Sequence, residues 1–395
     1  MTNALSGEIA RVNQLSRAMI DEYVAWRDKI AYGEMTHAMY IDMLDFVNFR
    51  METADSCLLL INNRRIGDSL GLSRSLFENY LLLMLMCRGS RFFKLEDLSS
   101  LTEGEFKARL KETQDKFRRL QEDGKTPCLS VERYPRAKRH LMYVFEGLHG
   151  QDEPDFLIPV HFFHFREFYP ETMRLKDENY FQYFEPSPET KKADRGYRQE
   201  AASRYRHYLS YDALLQCLQI NSMADLTRIE AHYTFLGKFL HPTHNAARDL
   251  HEGHNVYSGT TAIGMDQEYS EVAVLLASLY ACYIVAGLLD EVADLFERAP
   301  SRYMADPGTT GLRSLTARVP VQLPYFWFLF NDPPLYDRYN YCSYHATDEE
   351  LKEWGGYKGV PHERVPFDQH IYSRLKNALG GWSNMRCGVY ESPIA

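Results

Sequence analysis

The sequence lacks the short motifs that identify most nucleotide-binding and hydrolytic enzymes. It contains no glycine-rich phosphate loop, no dinucleotide-binding fingerprint and no nucleophile elbow. P-loop NTPases, Rossmann-type oxidoreductases and α/β-hydrolases are therefore excluded by their own signatures, and we expect no cofactor.

Positive charge is scarce. The chain has 45 Lys and Arg against 54 Asp and Glu, which gives a net charge of −9. This balance argues against a general affinity for nucleic-acid backbones, which needs dense Lys and Arg. A local basic cleft is still allowed, because Arg133, Arg136 and Arg139 would share one face of a helix. Such a run is more often a solvated helix face.

Cysteine usage and the long apolar run both bear on location. The 7 cysteines are scattered and form no C-x-x-C pair, as in proteins of a reducing compartment. The first residues show no apolar signal region, so we expect a cytoplasmic protein. The uncharged run Val272–Leu289 is flanked by acids and has no nearby Lys or Arg to orient it. We interpret it as a buried core helix, and we expect no membrane association.

Apolar periodicity predicts an all-α fold, a multi-helix bundle with an irregular, aromatic-rich C-terminal extension. Helices are expected over about 7–31, 34–61, 65–88, 102–123, 130–148, 196–221, 223–240 and 268–298. The predicted division is 1–149 (N-terminal helical part of the core), 150–195 (irregular insertion or lid), 196–299 (C-terminal helical part) and 300–395 (extension). Within the extension we expect one or two short strands in 319–345 and short helices near 347–354 and 367–379.

A histidine-rich segment at 228–254 is the natural place to look for chemistry, because imidazoles bind metals and move protons near neutral pH. If 243–252 is helical, His241, His244 and His251 lie on one face and would suit zinc or iron. Pro242 weakens a single-helix interpretation because it favours a new start. The alternative is that these histidines cap helices and hydrogen-bond loops.

The same segment also fits an RNA-cleaving site. Arg248 is followed directly by the polar residue Asp249, and five residues separate Arg248 from His254. This spacing resembles the Arg–His motif of helical HEPN-type ribonucleases. Such a short match is unspecific, and Gly253 disfavours a helix that continues to His254. We nevertheless treat Arg248, His254 and the nearby His241 as candidate catalytic residues.

Arg74 and Glu78 form a further candidate. They stand at i and i+4 within a strongly apolar helical pattern, so a half-buried pair is expected. Because a buried pair needs partners, both side chains should face the segment around Tyr233 and His241. The simpler interpretation is a structural strut; the alternative is that Glu78 is an acid in a pocket.

Together these residues resemble a bacterial helical family of unknown function, distantly related to the HEPN and abortive-infection proteins of phage defence. The resemblance covers about 35–90 and 196–298 and rests on R-S-L-F-E followed by Y-x-x-L-G-x-x-x-H-P-T. The matching residues are Arg74, Glu78, Tyr233, Leu236, His241, Pro242 and Thr243. Gly237 departs from the pattern, since the family usually has Ser there. The resemblance implies architecture more than chemistry; Arg74, Glu78, Tyr233 and His244 are the expected binding residues.

Three classes of function stay open. The first is a metal-independent ribonuclease of a defence or toxin type, with RNA as partner and a cleft between two protomers of a homo-oligomer. The second is a metal-binding helical enzyme that uses the His241–His254 cluster. The third is a binding or regulatory protein without catalysis.

Overall fold

The computed structural model describes residues 2–33, 38–88, 91–126, 128–133, 139–146, 158–159, 225–241, 250, 269–299, 301, 303–329, 331–367 and 370–381. Of these residues, 73% are helical, which confirms the predicted all-α multi-helix fold. The helix predicted at 196–221 and nearly all of the segment 150–195 lie outside the described residues.

The described residues form long helices, shorter helices and short strands. The long helices are α1 (Thr2–Arg27), α2 (Ala38–Asn62), α3 (Ile66–Arg88), α4 (Glu103–Glu122), α5 (Leu226–Leu240) and α6 (Glu271–Glu297). The shorter helices are α7 (Thr310–Thr316), α8 (Arg318–Gln322), α9 (Leu335–His345), α10 (Asp348–Glu353) and α11 (Ile371–Gly381). The strands are β1 (Ala31–Tyr32), β2 (Arg91–Asp97), β3 (Cys128–Arg133), β4 (His140–Glu146), β5 (Ile158–Pro159) and β6 (Met304–Asp306).

Helix α6 is the centre of the bundle. Ser270 caps its N-terminus by accepting a hydrogen bond from the amide of Ala273 at 3.1 Å. The helix packs mainly against α1 and α3, and every residue from Ala273 to Leu289 is buried. Its length and apolar composition would allow it to cross a bilayer, yet 94% of its most apolar stretch of 18 residues is buried inside the protein. The prediction of a core helix over 272–289 is therefore confirmed.

Helices α3 and α5 pack against each other in opposite directions. Gly71 faces Leu240 and the carbonyl of Phe239, whereas Arg74, nearly one turn further along α3, faces Gly237. Because Gly71 has no side chain, the two backbones can come close together at that point. This contact fixes the place of Arg74 beside the C-terminal end of α5.

A small antiparallel sheet lies between α3 and α5 in the sequence, in the order β3-β4-β2-β5. Helix α4 packs on it and forms a second hydrophobic cluster with it, which includes Phe106, Val131 and Leu141. The helix predicted at 102–123 is confirmed. Its N-terminus is a capping box in which Thr102 and Glu105 exchange hydrogen bonds.

The helix predicted at 130–148 is wrong, because its residues form strands β3 and β4. Leu141 and Tyr143 are both buried against α4, which is the two-residue period of a strand. Arg133 ends β3 and pairs with Glu103 at 2.9 Å, while Arg139 lies just before β4 with a φ of 58°. These two arginines therefore do not share a helix face; Arg136 lies outside the described residues.

The C-terminal extension contributes to the main core. Trp327 and Phe328 are fully buried, in the stretch between α8 and α9. The two short helices expected near 347–354 and 367–379 are present as α10 and α11. In place of the strands expected within 319–345, the described residues there form α8, α9 and non-helical turns. Proline explains part of this difference, because Pro320, Pro324 and Pro334 cannot donate to a sheet ladder.

Candidate functional site

The guanidinium of Arg74 joins α3 to the C-terminal half of α5. It lies over the ring of Tyr233, with 4.3 Å from Arg74 Cζ to the ring centroid, and it donates a hydrogen bond to the Tyr233 hydroxyl. Its Nη1 lies 3.4 Å from Nε2 of His241. Since a guanidinium only donates, Nε2 of His241 accepts, as it can in the neutral imidazole. One cation therefore contacts a phenol and an imidazole on the neighbouring helix.

Glu78 completes this group, which we call the Arg74 cluster (Arg74, Glu78, Tyr233 and His241). Its Oε1 lies 3.5 Å from Nε of Arg74. The side chain of Arg74 is only 12% exposed, but that of Glu78 is 38% exposed. The pair is therefore half-buried: Arg74 is largely covered, whereas Glu78 reaches solvent at the edge of the α3–α5 contact.

Both Arg74 and Glu78 do face the segment around Tyr233 and His241, as the sequence predicts. Burial raises the pKa of Tyr233 above its ordinary value, and the carboxylate of Glu78 adds to this effect. The phenol therefore stays protonated near neutral pH and is available as a hydrogen-bond donor or acceptor.

Local sequence explains why His241 stands at this place. Helix α5 ends at Leu240, and His241 is its C-cap with extended backbone angles of −94° and 136°. The following residue is Pro242, which disfavours the helical conformation in the residue before it. The backbone amide of His241 still donates to the carbonyl of Gly237, so the imidazole is held exposed at the helix end.

Gly237 gives the guanidinium of Arg74 its space. A Cβ atom at this position would lie 3.4 Å from Nη1 of Arg74, so any side chain larger than glycine would be in direct contact with the guanidinium. Glycine in a helix interior costs about 1 kcal/mol relative to alanine, and here it lets the cation lie close to the backbone of α5.

Several predicted site residues lie outside the described residues. They are the candidate catalytic residues Arg248 and His254, and also His244 and His251 of the alternative metal site. In the part of the chain that is described, no group of three or more His, Cys, Asp or Glu side chains could hold a metal ion. His241, the one metal candidate that is described, faces the positively charged Arg74.

Sequence reasoning missed a second, buried group on the inner side of α5. His232 is fully buried, and its Nδ1 lies 2.8 Å from the hydroxyl of Tyr280 on α6. Arg228, one turn earlier, is also buried and donates hydrogen bonds to the carbonyls of Phe328 and Asn331. The i, i+4 spacing of Arg228 and His232 was the available signal, because it places both on one face of a helix.

Comparison of the chain with models of known protein families, with curated protein sequences and with solved structures finds no match.

Proposed function

We propose that the protein is a metal-independent RNA-cleaving enzyme whose reaction takes place at the Arg74 cluster. The observation that carries the proposal is the contact between the guanidinium of Arg74 and the imidazole of His241 at a partly exposed helix end. An arginine that can stabilise a phosphorane and a histidine that can move a proton are the two groups that this reaction needs. Relationship to HEPN proteins, a role in phage defence and a homo-oligomeric cleft belong to the same proposal.

The chemistry assigns a separate task to each residue. When the phosphate binds, it takes over N–H donors of Arg74, and this frees Nε2 of His241. His241 then takes the proton of the ribose 2′-OH while the 2′-oxygen bonds to phosphorus. Arg74 stabilises the negative charge that develops on the phosphorane. The bond to the 5′-oxygen breaks, which leaves a 2′,3′-cyclic phosphate.

The leaving 5′-oxygen needs a proton of its own. His254 is the candidate for this second role, because it follows His241 closely in the sequence and lies in the predicted Arg248–His254 pair. Glu78 and Tyr233 act on Arg74, which they hold in place by an ion pair and by the face of a ring.

The experiment is RNA cleavage by the purified protein in the presence of EDTA. His241→Ala should lower kcat/KM by about 10²-fold or more, the usual contribution of a general base. Arg74→Gln should cause a loss of about 10²–10³-fold, the usual effect of removing a donor to a developing charge. The matched controls are His345→Ala, an exposed histidine at the end of α9, and Arg118→Gln, an exposed arginine paired with Asp115 on α4. Both controls should keep full activity.

Three results would overturn the proposal. If the wild type cuts no RNA, a binding or regulatory protein is the better interpretation. If cleavage survives both substitutions in the cluster but is lost in Arg248→Ala or His254→Ala, the site lies at that pair. If EDTA abolishes cleavage and the protein carries near-stoichiometric zinc, iron or manganese, the metal-binding alternative through His241, His244 and His251 replaces it.

A further inference from the structure

The imidazole of His232 is enclosed by aromatic rings. The nearest belong to Phe328 and Phe367, with ring centroids at 4.1 and 4.5 Å. Tyr280, Phe326 and, further away, Phe77 complete the enclosure. Three of these rings, those of Phe326, Phe328 and Phe367, come from the C-terminal extension. His232 is therefore, with Arg228, a point at which the extension contacts the inner face of α5.

The hydrogen bonding of His232 suits only the neutral ring. Its Nδ1 pairs with the Tyr280 hydroxyl, whereas its buried Nε2 has no hydrogen-bond partner among the described residues. A protonated imidazole carries an N–H on both nitrogens. The second N–H would then be buried without an acceptor, together with a full positive charge.

We call the rings of Phe77, Tyr280, Phe326, Phe328 and Phe367 the aromatic box of His232. Among the described residues, two arginines act on His232, and each is paired with an aspartate. Arg228 lies on α5 and pairs with Asp225 at 3.2 Å. Arg374 lies on α11 and pairs with Asp337 at 2.9 Å. Burial, together with the charges of Arg228 and Arg374, lowers the pKa of His232 well below its usual range.

Helix α5 connects this box to the Arg74 cluster. Tyr233 follows His232 directly, about a quarter turn round the helix, and contacts Arg74, and His241 is the C-cap of the same helix. Movement of the extension away from α5 removes the rings of Phe326, Phe328 and Phe367 from the inner face of the helix. Because Tyr233 and His241 belong to the same helix, the loss of this packing can reach the Arg74 cluster through α5.

We propose that His232 is an acid-sensitive latch: its protonation releases the C-terminal extension from α5. A consequence for cleavage rests on the function proposed above, because it requires the Arg74 cluster to be the active site. The direction follows from proton binding. In the open state the solvated imidazole takes up a proton near its ordinary pKa of about 6.5, whereas in the closed state it does so only at lower pH. The open state therefore binds more protons below about pH 6.5, and the closed state loses stability as the pH falls.

Hydrogen–deuterium exchange of the full chain tests the latch without any need for activity. After correction for intrinsic exchange, the protection of 225–240 and 323–329 should fall at least about tenfold from about pH 7 to about pH 5, since one pKa unit corresponds to a factor of ten. In His232→Gln and His232→Phe, which cannot take up the proton, protection should change less than about twofold over this range. His345→Ala, which removes an exposed histidine, should behave as the wild type.

Equal loss of protection in the wild type and in the His232 variants would overturn the proposal, and so would no loss in the wild type. If neither variant folds, NMR titration of histidine in the wild type decides instead. One imidazole should then stay neutral until the amides of 323–329 lose their protection. If every histidine takes up a proton while these amides are still protected, the latch is contradicted. Absence of RNA cleavage would remove the functional consequence only, because exchange reports the release by itself.

Discussion

At the scale of single residues, exposure decides how much the Arg74–Glu78 pair stabilises the fold. The side chain of Glu78 is 38% exposed, so water screens its charge even though Arg74 is largely covered. We therefore expect Glu78→Ala to lower the free energy of unfolding by less than about 1 kcal/mol, as for exposed ion pairs. Urea unfolding measures this, with Asp115→Ala as a control that breaks the exposed Asp115–Arg118 pair. A loss of about 3 kcal/mol would instead indicate a buried charge pair.

The same residue scale shows what the sequence could predict of the site. The Arg74–Glu78 pair in an apolar helix needs partners, which predicted that both side chains face the segment around Tyr233 and His241, and they do. The exposure of Glu78 could not be predicted, because it depends on where α5 ends beside α3. The rings around His232 could not be predicted either, since they come from distant parts of the chain: Phe77 on α3, Tyr280 on α6 and three residues of the extension.

At the scale of helices and strands, one glycine sets the distance between α3 and α6. A Cβ atom on Gly287 would lie 2.6 Å from the ring of Tyr80, which is fully buried. Gly287→Ala should therefore lower the free energy of unfolding by about 1–3 kcal/mol, as for other overpacked cores. Gly7→Ala on α1, where a Cβ meets nothing within 4 Å, is the matched control and should stabilise by about 0.5–1 kcal/mol. Urea unfolding measures both variants. If the two substitutions change the free energy of unfolding in the same direction, the account is contradicted.

The failed helix at 130–148 has a physical cause at this scale. Short apolar runs such as those of β3 and β4 fit a helix and a strand equally well. Pairing between β3, β4 and β2, together with the cover that α4 provides, decides in favour of strands. Long helices such as α1 and α6 were predictable because their apolar pattern continues over many turns.

At the scale of the whole molecule, the C-terminal extension stabilises the bundle. Trp327 is fully buried in the main core, and its indole Nε1 donates to Asp337 at 3.1 Å. Trp327→Ala should lower the free energy of unfolding by about 3–5 kcal/mol, as for large-to-small changes in other cores. Tyr344→Ala removes an aromatic side chain of the same extension that is 80% exposed, and it should change stability by less than about 0.5 kcal/mol. Thermal or urea unfolding measures both variants. If Trp327→Ala and Tyr344→Ala lower the free energy of unfolding by similar amounts, the extension does not belong to the core.

The most direct test of the central claim is the identity of the RNA ends after cleavage in EDTA. If His241 takes the 2′-OH proton while Arg74 stabilises the phosphorane, mass spectrometry should find 2′,3′-cyclic phosphate and 5′-hydroxyl ends. A matched strand with a 2′-deoxyribose at the cut site should stay intact there, because it has no 2′-OH to attack the phosphorus. Cleavage of the deoxy strand at a similar rate, or 5′-phosphate ends on the RNA, would contradict the account.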